Sequence, residues 1–316
     1  MNEGLRLAIS QRFETAQSIV IVSHIRPDGD AVGSLLGLGL ALQQTGKKVQ
    51  MVLSDGVPVS FRHLSGSTQV VKRTSEPFDL SVVLDCSDIE RVGGALNGIQ
   101  KPDLIIDHHI TNLQFGSINL VEPDSVATSA ILARCIPLWG LTITPPVASA
   151  LLTGLVSDTL GFRTSNITPE AMRLAAILME DGANLPELYQ RALVSHSFTA
   201  LRYWGQGLSH LQRDGRLVWT SLSITDRGVA EYHGNDDADL VNVLSTIEEA
   251  DIAIIFVEQK GGRVKISWRS EPGIDVSQIA LQFGGGGHPA ASGAEIPGTL
   301  EDVQKQVLEV TRKLLK

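Results

Sequence analysis

From Ser18 to Leu160 the chain alternates short β-branched apolar runs with longer stretches of helical period. Ser18–Ser23 (SIVIVS) predicts a buried strand, and Asp30–Gln44 a helix that Gly46 terminates. Lys48–Leu53, Leu80–Leu84 and Asp103–Ile106 predict further strands, with helices near Ser125–Pro137 and Pro145–Leu160. Apolar runs without polar alternation are buried on both faces, so this order predicts an α/β domain on a parallel sheet with helices on both faces. Helical patterns follow at Thr168–Glu180 and Leu185–His196, and 190–213 is the expected connecting helix. Strands restart at Leu217–Leu222, Asp251–Val257 and Arg263–Trp268, with a helix near Asp275–Phe283, which predicts a smaller second α/β domain. The expected organisation is a first domain over 1–189, a helical linker over 190–213 and a second domain over 214–316.

The polar residues that interrupt the pattern fall where strands end. VVLD closes one predicted strand at Asp85, LIID closes another at Asp107, and the first strand runs directly into His24. Ligands of open α/β sheets bind beyond the carboxyl ends of the strands, so a site is expected there. In SHIRPDGDAVGS, Pro27 and Gly29 place His24, Asp28 and Asp30 on a loop, where an imidazole and two carboxylates can turn toward one cation. Asp30, just before a helix, equally suits an N-cap. Asp85, in LDCSDIERVGG, needs a partner or a metal at its depth, or caps the next turn with Ser87 or Asp88. IIDHHIT sets Asp107, His108 and His109 in a row; imidazoles coordinate transition metals, and an adjoining carboxylate fixes their tautomer. In LLTGLVSDTLGFRTSNIT, Asp158 breaks an apolar helix, where a cation would offset its burial; a bond to Thr159 or Ser157 is the alternative.

Composition narrows the chemistry. The 316 residues are 43% hydrophobic, enough for two cores, and the formal charge of −9 argues against gripping long nucleic acid by charge. No run approaches the ~20 apolar residues of a membrane span, and MNEGLRLAISQRFE lacks the apolar core of a secretory signal. The two cysteines, Cys86 and Cys135, form no disulfide framework and supply no structural zinc site, so a soluble, cytoplasmic protein is expected. His24, Asp28, Asp30, Asp85, His108 and Asp158 together suit a pair of Mn²⁺ or Mg²⁺ ions, with imidazole favouring Mn²⁺. Two such ions ~3.5–4 Å apart can clamp a phosphoryl group for in-line hydrolysis. FGGGGHPAASG (283–293), shortly after Arg269, predicts an anion-binding loop in which glycine N–H groups converge and His288 adds a donor; a tight structural turn is the alternative. Phe162, Tyr203 and Trp268 are candidates for stacking a base.

HIRPDGDAVGS, LDCSDIERVG, DHH, GLVSDTLGFRTSN and GGGGHPAASG occur in this order over nearly the whole length. With them the chain resembles the DHH phosphoesterase family, in its branch with a C-terminal DHH-associated domain. Within that family it is most similar to the bacterial bifunctional oligoribonucleases, the nano-RNases that also dephosphorylate 3′-phosphoadenosine 5′-phosphate (pAp). The resemblance implies a catalytic, metal-binding domain over 1–189 and a substrate-binding domain over 214–316. It implies that His24, Asp28 and Asp85 bind one Mn²⁺ while Asp30, Asp85, His108 and Asp158 bind the other, with Mg²⁺ or Co²⁺ as substitutes. By the same resemblance Asp107 supports the site from behind, and His109 contacts the scissile phosphate or the leaving oxygen. Arg269, Ser270, Gly286, Gly287 and His288 match the family's substrate-binding residues. The implied activity is Mn²⁺-dependent hydrolysis of RNA of two to five nucleotides to 5′-mononucleotides, and of pAp to AMP. Neither long nucleic acid nor a membrane is an implied partner, and similar proteins are often homodimers. A cyclic di-AMP or pApA phosphodiesterase is the alternative with the same chemistry; a nucleotide-binding sensor without turnover is the alternative of another class. Where similar proteins often follow the Arg-Ser pair with a basic residue and Gly, this chain has Glu271-Pro272-Gly273, which bears on the contact with a second phosphate.

Overall fold

Apolar runs and glycine-spaced helices assemble into two compact units, Met1–Ser195 and His196–Lys316, in a computed structural model that describes residues 2–96, 99 and 101–315. In the first unit, helix α1 (Glu3–Thr15) precedes strand β1 (Ser18–Val22), helix α2 (Gly29–Gln43) and strand β2 (Lys48–Val52). Strands β3 (Leu80–Leu84), β4 (Leu104–Asp107) and β5 (Ile118–Val121) follow, then helices α3 (Thr128–Cys135), α4 (Pro145–Asp158), α5 (Pro169–Glu180) and α6 (Leu185–Tyr189). Among the described residues these strands form one parallel sheet in the order β2-β1-β3-β4-β5. β5 was not expected: it is four residues long, at the sheet edge and mostly half-buried, so it carries no long apolar run.

Alternate residues of each strand enter different cores. Ile19 and Ile21 pack with Leu35, Leu36 and Leu151 of the α-helical face, whereas Val20 and Val22 pack with Val83, Val92 and Leu96. The second face is covered by the 3₁₀ segment Glu90–Leu96 and neighbouring loops. Because both faces are apolar, the strands read as unbroken runs.

The register aligns the polar residues at their ends. Val22 lies level with Val83, and Leu84 with Ile106, so His24, Asp85 and Asp107 continue as one row beyond the sheet. β1 lies between β2 and β3: the chain leaves it first toward β2 and later returns to its other side as β3. The loops after β1 and β3 therefore diverge and open a crevice at the point where strand order reverses.

Helices α2 and α4 cross through glycines. A Cβ on Gly33 would lie 2.4 Å from the Ala150 carbonyl oxygen, and one on Gly154 would lie 2.7 Å from the Asp30 carboxylate. Without those side chains the two backbones approach closely enough to bring Asp30 and the end of α4 to the same crevice.

The stretch 190–213 is not one continuous helix. A π-helical turn, Gln190–Val194, extends α6, and Ser195 then leaves helical geometry at φ −81° and ψ 115°. Ser197 caps a new helix, α7 (Phe198–Ser209), by accepting the Ala200 N–H. Two serines around His196 offer side-chain bonds that compete with a continuing helix, which is why the period breaks there.

In the second unit α7 is followed by β6 (Gln212–Asp214), β7 (Leu217–Leu222), α8 (Ile224–Ala230), α9 (Leu240–Leu244), β8 (Ile252–Gln259) and β9 (Arg263–Ser270). Helix α10 (Ser277–Gln282), strands β10 (Gly286–His288) and β11 (Ala291–Pro297), and helix α11 (Leu300–Thr311) complete it. The sheet order is β10-β11-β9-β8-β7-β6, with β7 and β8 parallel and the other pairs antiparallel. α10 and α11 cover one face, against Ile254 and Trp268; α7, α8 and α9 cover the other, against Val218 and Ile255.

Two expectations change here. The glycine run is an edge strand rather than an open loop: Gly286–His288 pair with β11. A Cβ on Gly285 would sit 2.1 Å from the Gly293 carbonyl oxygen, and one on Gly287 (φ +138°) 2.5 Å from that of Ala291, so the glycines serve close backbone approach. The three rings considered for stacking are also committed elsewhere. Tyr203 and Trp268 are fully buried, and Phe162 packs on the first unit's core. Among the described residues no helix is long and apolar enough to cross a membrane.

Candidate metal centre

His24 follows the β1 edge of the crevice and is buried, with Nδ1 2.8 Å from the Ile25 carbonyl oxygen. A carbonyl only accepts, so Nδ1 carries the proton and Nε2 keeps a lone pair for a ligand. That Nε2 lies 3.6 Å from Asp85 Oδ2 and 3.9 Å from Asp28 Oδ1. His108, after β4, repeats the device: Nδ1 donates to the Ser125 carbonyl at 3.2 Å, leaving Nε2 3.7 Å from Asp85 Oδ1 and 3.5 Å from Asp158 Oδ2.

The carboxylates are placed by helix ends. Asp28 caps α2, its Oδ1 accepting the Asp30 and Ala31 N–H groups at 3.0 Å each. The capping role considered for Asp30 therefore belongs to Asp28. Asp30 lies inside the first turn, buried, and accepts the Thr128 and Ser129 N–H groups at 2.6 and 3.0 Å from the start of α3. Asp85 is buried, accepts Thr128 Oγ1–H at 3.1 Å, and holds φ +53°, a left-handed conformation uncommon outside glycine and concentrated at functional sites. Asp158 is the last residue of α4 rather than an interruption within it, and no bond joins its side chain to Thr159 or Ser157 among the described residues.

Donor atoms of His24, Asp28 and Asp85 lie within 4.8 Å of one another, as do those of Asp30, Asp85 and His108; Asp85 is common to both groups. Asp158 adjoins the second group through His108. Asp107 is occupied otherwise. Its Oδ1 accepts the His108 N–H and the His109 Nδ1–H at 2.8 Å each, and its Oδ2 accepts the Asn112 amide at 2.6 Å. It holds His109 and the turn after β4.

The electrostatics follow from this crowding. Burial and the Asp85 charge push the Asp30 carboxyl up to about 7. Burial, then the charges of Asp30 and Asp28, raise Asp158 well above the ordinary carboxylate range. Burial would raise Asp85 as well, but the His24 bond and the charges of the three histidines outweigh it and hold Asp85 low. For His24, His108 and His109 burial favours the neutral ring, and the facing carboxylates overcome it, so all three are raised. Mutually repelling carboxylates with imidazole lone pairs turned among them are a donor set suited to divalent cations of Mn²⁺ type.

The second unit's candidate residues lie at the end of β9 and on the edge strand β10 of its sheet. Arg269 donates from Nε to Asn242 Oδ1 at 3.1 Å and from Nη1 to the Trp268 carbonyl at 3.0 Å. The Ser270 hydroxyl donates to the Ile274 carbonyl at 2.7 Å, closing a turn in which Gly273 has φ +96°. That hydroxyl is thereby engaged by the protein's own backbone, and Glu271-Pro272-Gly273 builds the turn. His288 is half-buried on β10.

Thr128, Ser129 and Asn112 were not anticipated. The Thr-Ser pair before an apolar run does signal a helix start. That its N–H groups would meet Asp30, about a hundred residues earlier, has no local signature.

The family model for the DHH N-terminal domain matches residues 18–155, and that for the DHHA1 domain matches residues 226–316. The chain is 34% identical to the bifunctional oligoribonuclease and PAP phosphatase NrnA of Thermus thermophilus, over 99% of this chain and 95% of that protein. It is 29% identical to NrnA of Mycoplasma genitalium, over 100% and 98% of the two chains. Among solved structures, an exopolyphosphatase-related protein from Bacteroides fragilis superposes with a TM-score of 0.88 at 26% identity, over 99% of this chain and 98% of that one. Domain order, full-length similarity and the row of acids and histidines beyond the parallel sheet agree: the chain belongs to the DHH phosphoesterase family, in the branch that carries a DHHA1 domain.

Proposed function

We propose that this protein is a cytoplasmic, Mn²⁺-dependent phosphoesterase that hydrolyses very short oligoribonucleotides to 5′-mononucleotides and pAp to AMP. One observation carries the reading: two donor groups, His24/Asp28/Asp85 and Asp30/Asp85/His108, share a buried carboxylate in one crevice. The full-length relatives bear the names of oligoribonucleases and PAP phosphatases, which supports the substrate class. His24, Asp28 and Asp85 would hold one ion, and Asp30, Asp85, His108 and Asp158 the other, with Mg²⁺ or Co²⁺ as substitutes. When bound, such ions supply Lewis acidity at a phosphoryl oxygen and lower the pKa of water toward neutrality.

The chain's own residues do the rest. Thr128 orients Asp85, and the two Nδ1–H bonds to backbone carbonyls keep His24 and His108 in the tautomer that offers Nε2. Asp107 grips His109 at Nδ1 and favours its imidazolium, so His109 can pass a proton to the departing oxygen. The first unit is thus the catalytic domain. In the second, Arg269, His288 and the backbone of Gly286 and Gly287 bind the substrate, with Ser270 closing the turn beside them and Asn242 orienting the Arg269 fork. Only a few phosphates need be met, which suits a chain of charge −9.

The test is turnover of pAp, a ribodinucleotide, pApA, cyclic di-AMP and a 25-nucleotide RNA by the purified protein with Mn²⁺. Fast turnover of the first two and slow attack on the long RNA is the expected pattern. Equal attack on the 25-mer and the dinucleotide would overturn it, and a clear preference for cyclic di-AMP would reassign the substrate.

A further inference from the structure

The loop after β3 carries an arginine that the metal centre does not use. Arg91 is half-buried, and its main chain is clamped on both sides. Its N–H donates to Asp88 Oδ1 at 3.0 Å, and its carbonyl accepts the Ile25 N–H at 2.7 Å. Gly93 (φ +63°) approaches so closely that a Cβ there would lie 2.8 Å from Ile25 Cγ2. Arg91 therefore ties the loop after β3 to the loop after β1 that presents His24 and Asp28, over the crevice where the strand order reverses. Its charge is felt at both His24 and Cys86.

The guanidinium makes no ion pair or hydrogen bond among the described residues. Neighbouring Asp88 bonds elsewhere, Oδ1 taking Arg91's own N–H and Oδ2 the Ser87 hydroxyl at 3.0 Å, and forms no ion pair with the guanidinium. Arg134, also half-buried, holds both Glu122 and Glu170. A guanidinium that has lost part of its hydration is ordinarily compensated by an anion. Here the loops fix its main chain and supply none.

We propose that Arg91 is an anion-binding residue of the first unit, its guanidinium taking non-bridging oxygens of a substrate phosphate on the His24 side of the metal centre. The proposal rests on the phosphoester-hydrolysing reading. A planar guanidinium can meet two phosphate oxygens at once, giving orientation as well as charge. The cluster of carboxylates supplies no donor for those oxygens, so the residue adds what the acids lack.

The experiment compares wild type with Arg91→Ala and Arg91→Lys as full chains loaded with Mn²⁺. Calorimetric titration with orthophosphate gives anion affinity, and pAp turnover gives kcat and KM separately. The substitutions leave both main-chain clamps in place, so the thermal midpoint should stay near that of wild type. Arg91→Ala should weaken orthophosphate binding about tenfold or more and raise KM for pAp similarly, with Lys recovering part of the loss. Equal orthophosphate affinity in wild type and Arg91→Ala overturns the proposal, as does a shift in melting alone, or no orthophosphate binding by wild type. If wild type turns over neither pAp nor a dinucleotide, the functional reading falls while the titration still decides Arg91. Should Arg91→Ala not fold, Arg91→Gln against Arg91→Lys makes the same comparison: a loss with Gln beyond that with Lys supports the proposal, and equal affinities overturn it.

Discussion

Replacing Asp107 by asparagine separates the support of His109 from the binding of cations. Asp107 offers two oxygens: one to His109 Nδ1–H and the His108 N–H, the other to the Asn112 amide. An asparagine offers one oxygen. Turned one way, its amide faces the His109 Nδ1–H; turned the other, it faces the Asn112 amide. Asn112 cannot turn over to help, because its oxygen accepts the Gln114 N–H at 2.6 Å and its amide also serves the Cys86 carbonyl at 3.0 Å. Two donors then face each other where Asp107 is fully buried, at a cost of about 1–3 kcal/mol.

The lost charge matters more for turnover. Burial disfavours the His109 imidazolium, and the Asp107 bond with the Asp85 and Asp107 charges overcomes it. A facing carboxylate of this kind moves a titration by about 1–3 pH units, or ~1.4–4 kcal/mol. A raised histidine stays protonated to higher pH, so without Asp107 the proton donor is lost at lower pH. For Asp107→Asn with saturating Mn²⁺ and a ribodinucleotide, kcat at pH 8 should fall about 10²–10⁴-fold. It should fall less at pH 6, and the basic limb of the pH–rate profile should move to lower pH. A kcat close to wild type, or a large loss with the basic limb unmoved, refutes the role given to the Asp107–His109 pair.

Metal-free protein in chelator should lose stability between pH 5 and pH 8. The folded Asp30 carboxyl near 7, against an ordinary 3.8, binds its proton more tightly folded than unfolded, so stability falls as pH rises from 5 toward 7, by about 3 kcal/mol. The raised His24 and His108 add the same sign. Thermal melts with and without Mn²⁺ check this: the gain from Mn²⁺ should be larger at pH 8, and a metal-free midpoint that rises from pH 5 to pH 8 contradicts it. Gly154→Ala places a Cβ 2.7 Å from both Asp30 Oδ1 and Ser129 Oγ, so it should cost about 1–3 kcal/mol and weaken Mn²⁺ binding in a calorimetric titration. Gly286→Ala, whose Cβ meets no atom within 4 Å, should leave melting unchanged and raise KM for pAp; Gly287→Ala, clashing with the Ala291 carbonyl, should lower the melting midpoint as well. Unchanged kinetics in Gly286→Ala would remove the β10 edge from the substrate site.

The sequence by itself determined the parallel sheet, the strands that carry it and the chemistry at their ends. Strands buried on both faces must be unbroken apolar runs, so His24, Asp85 and Asp107 stood out where those runs stop. Elements without that contrast stayed hidden. β5 is short and at an edge, and β10 is mostly glycine with no side chains to show a period. Tertiary structure alone decided the partnerships. The crossing of α2 and α4 at Gly33 and Gly154 lets Asp30 point inward to α3. Strand order made Asp85 the carboxylate shared by both donor groups, and sheet pairing turned the glycine run into an edge. Period and residue chemistry are properties of near neighbours along the chain, whereas a hydrogen bond from Thr128 to Asp30 exists only once helices and strands have packed.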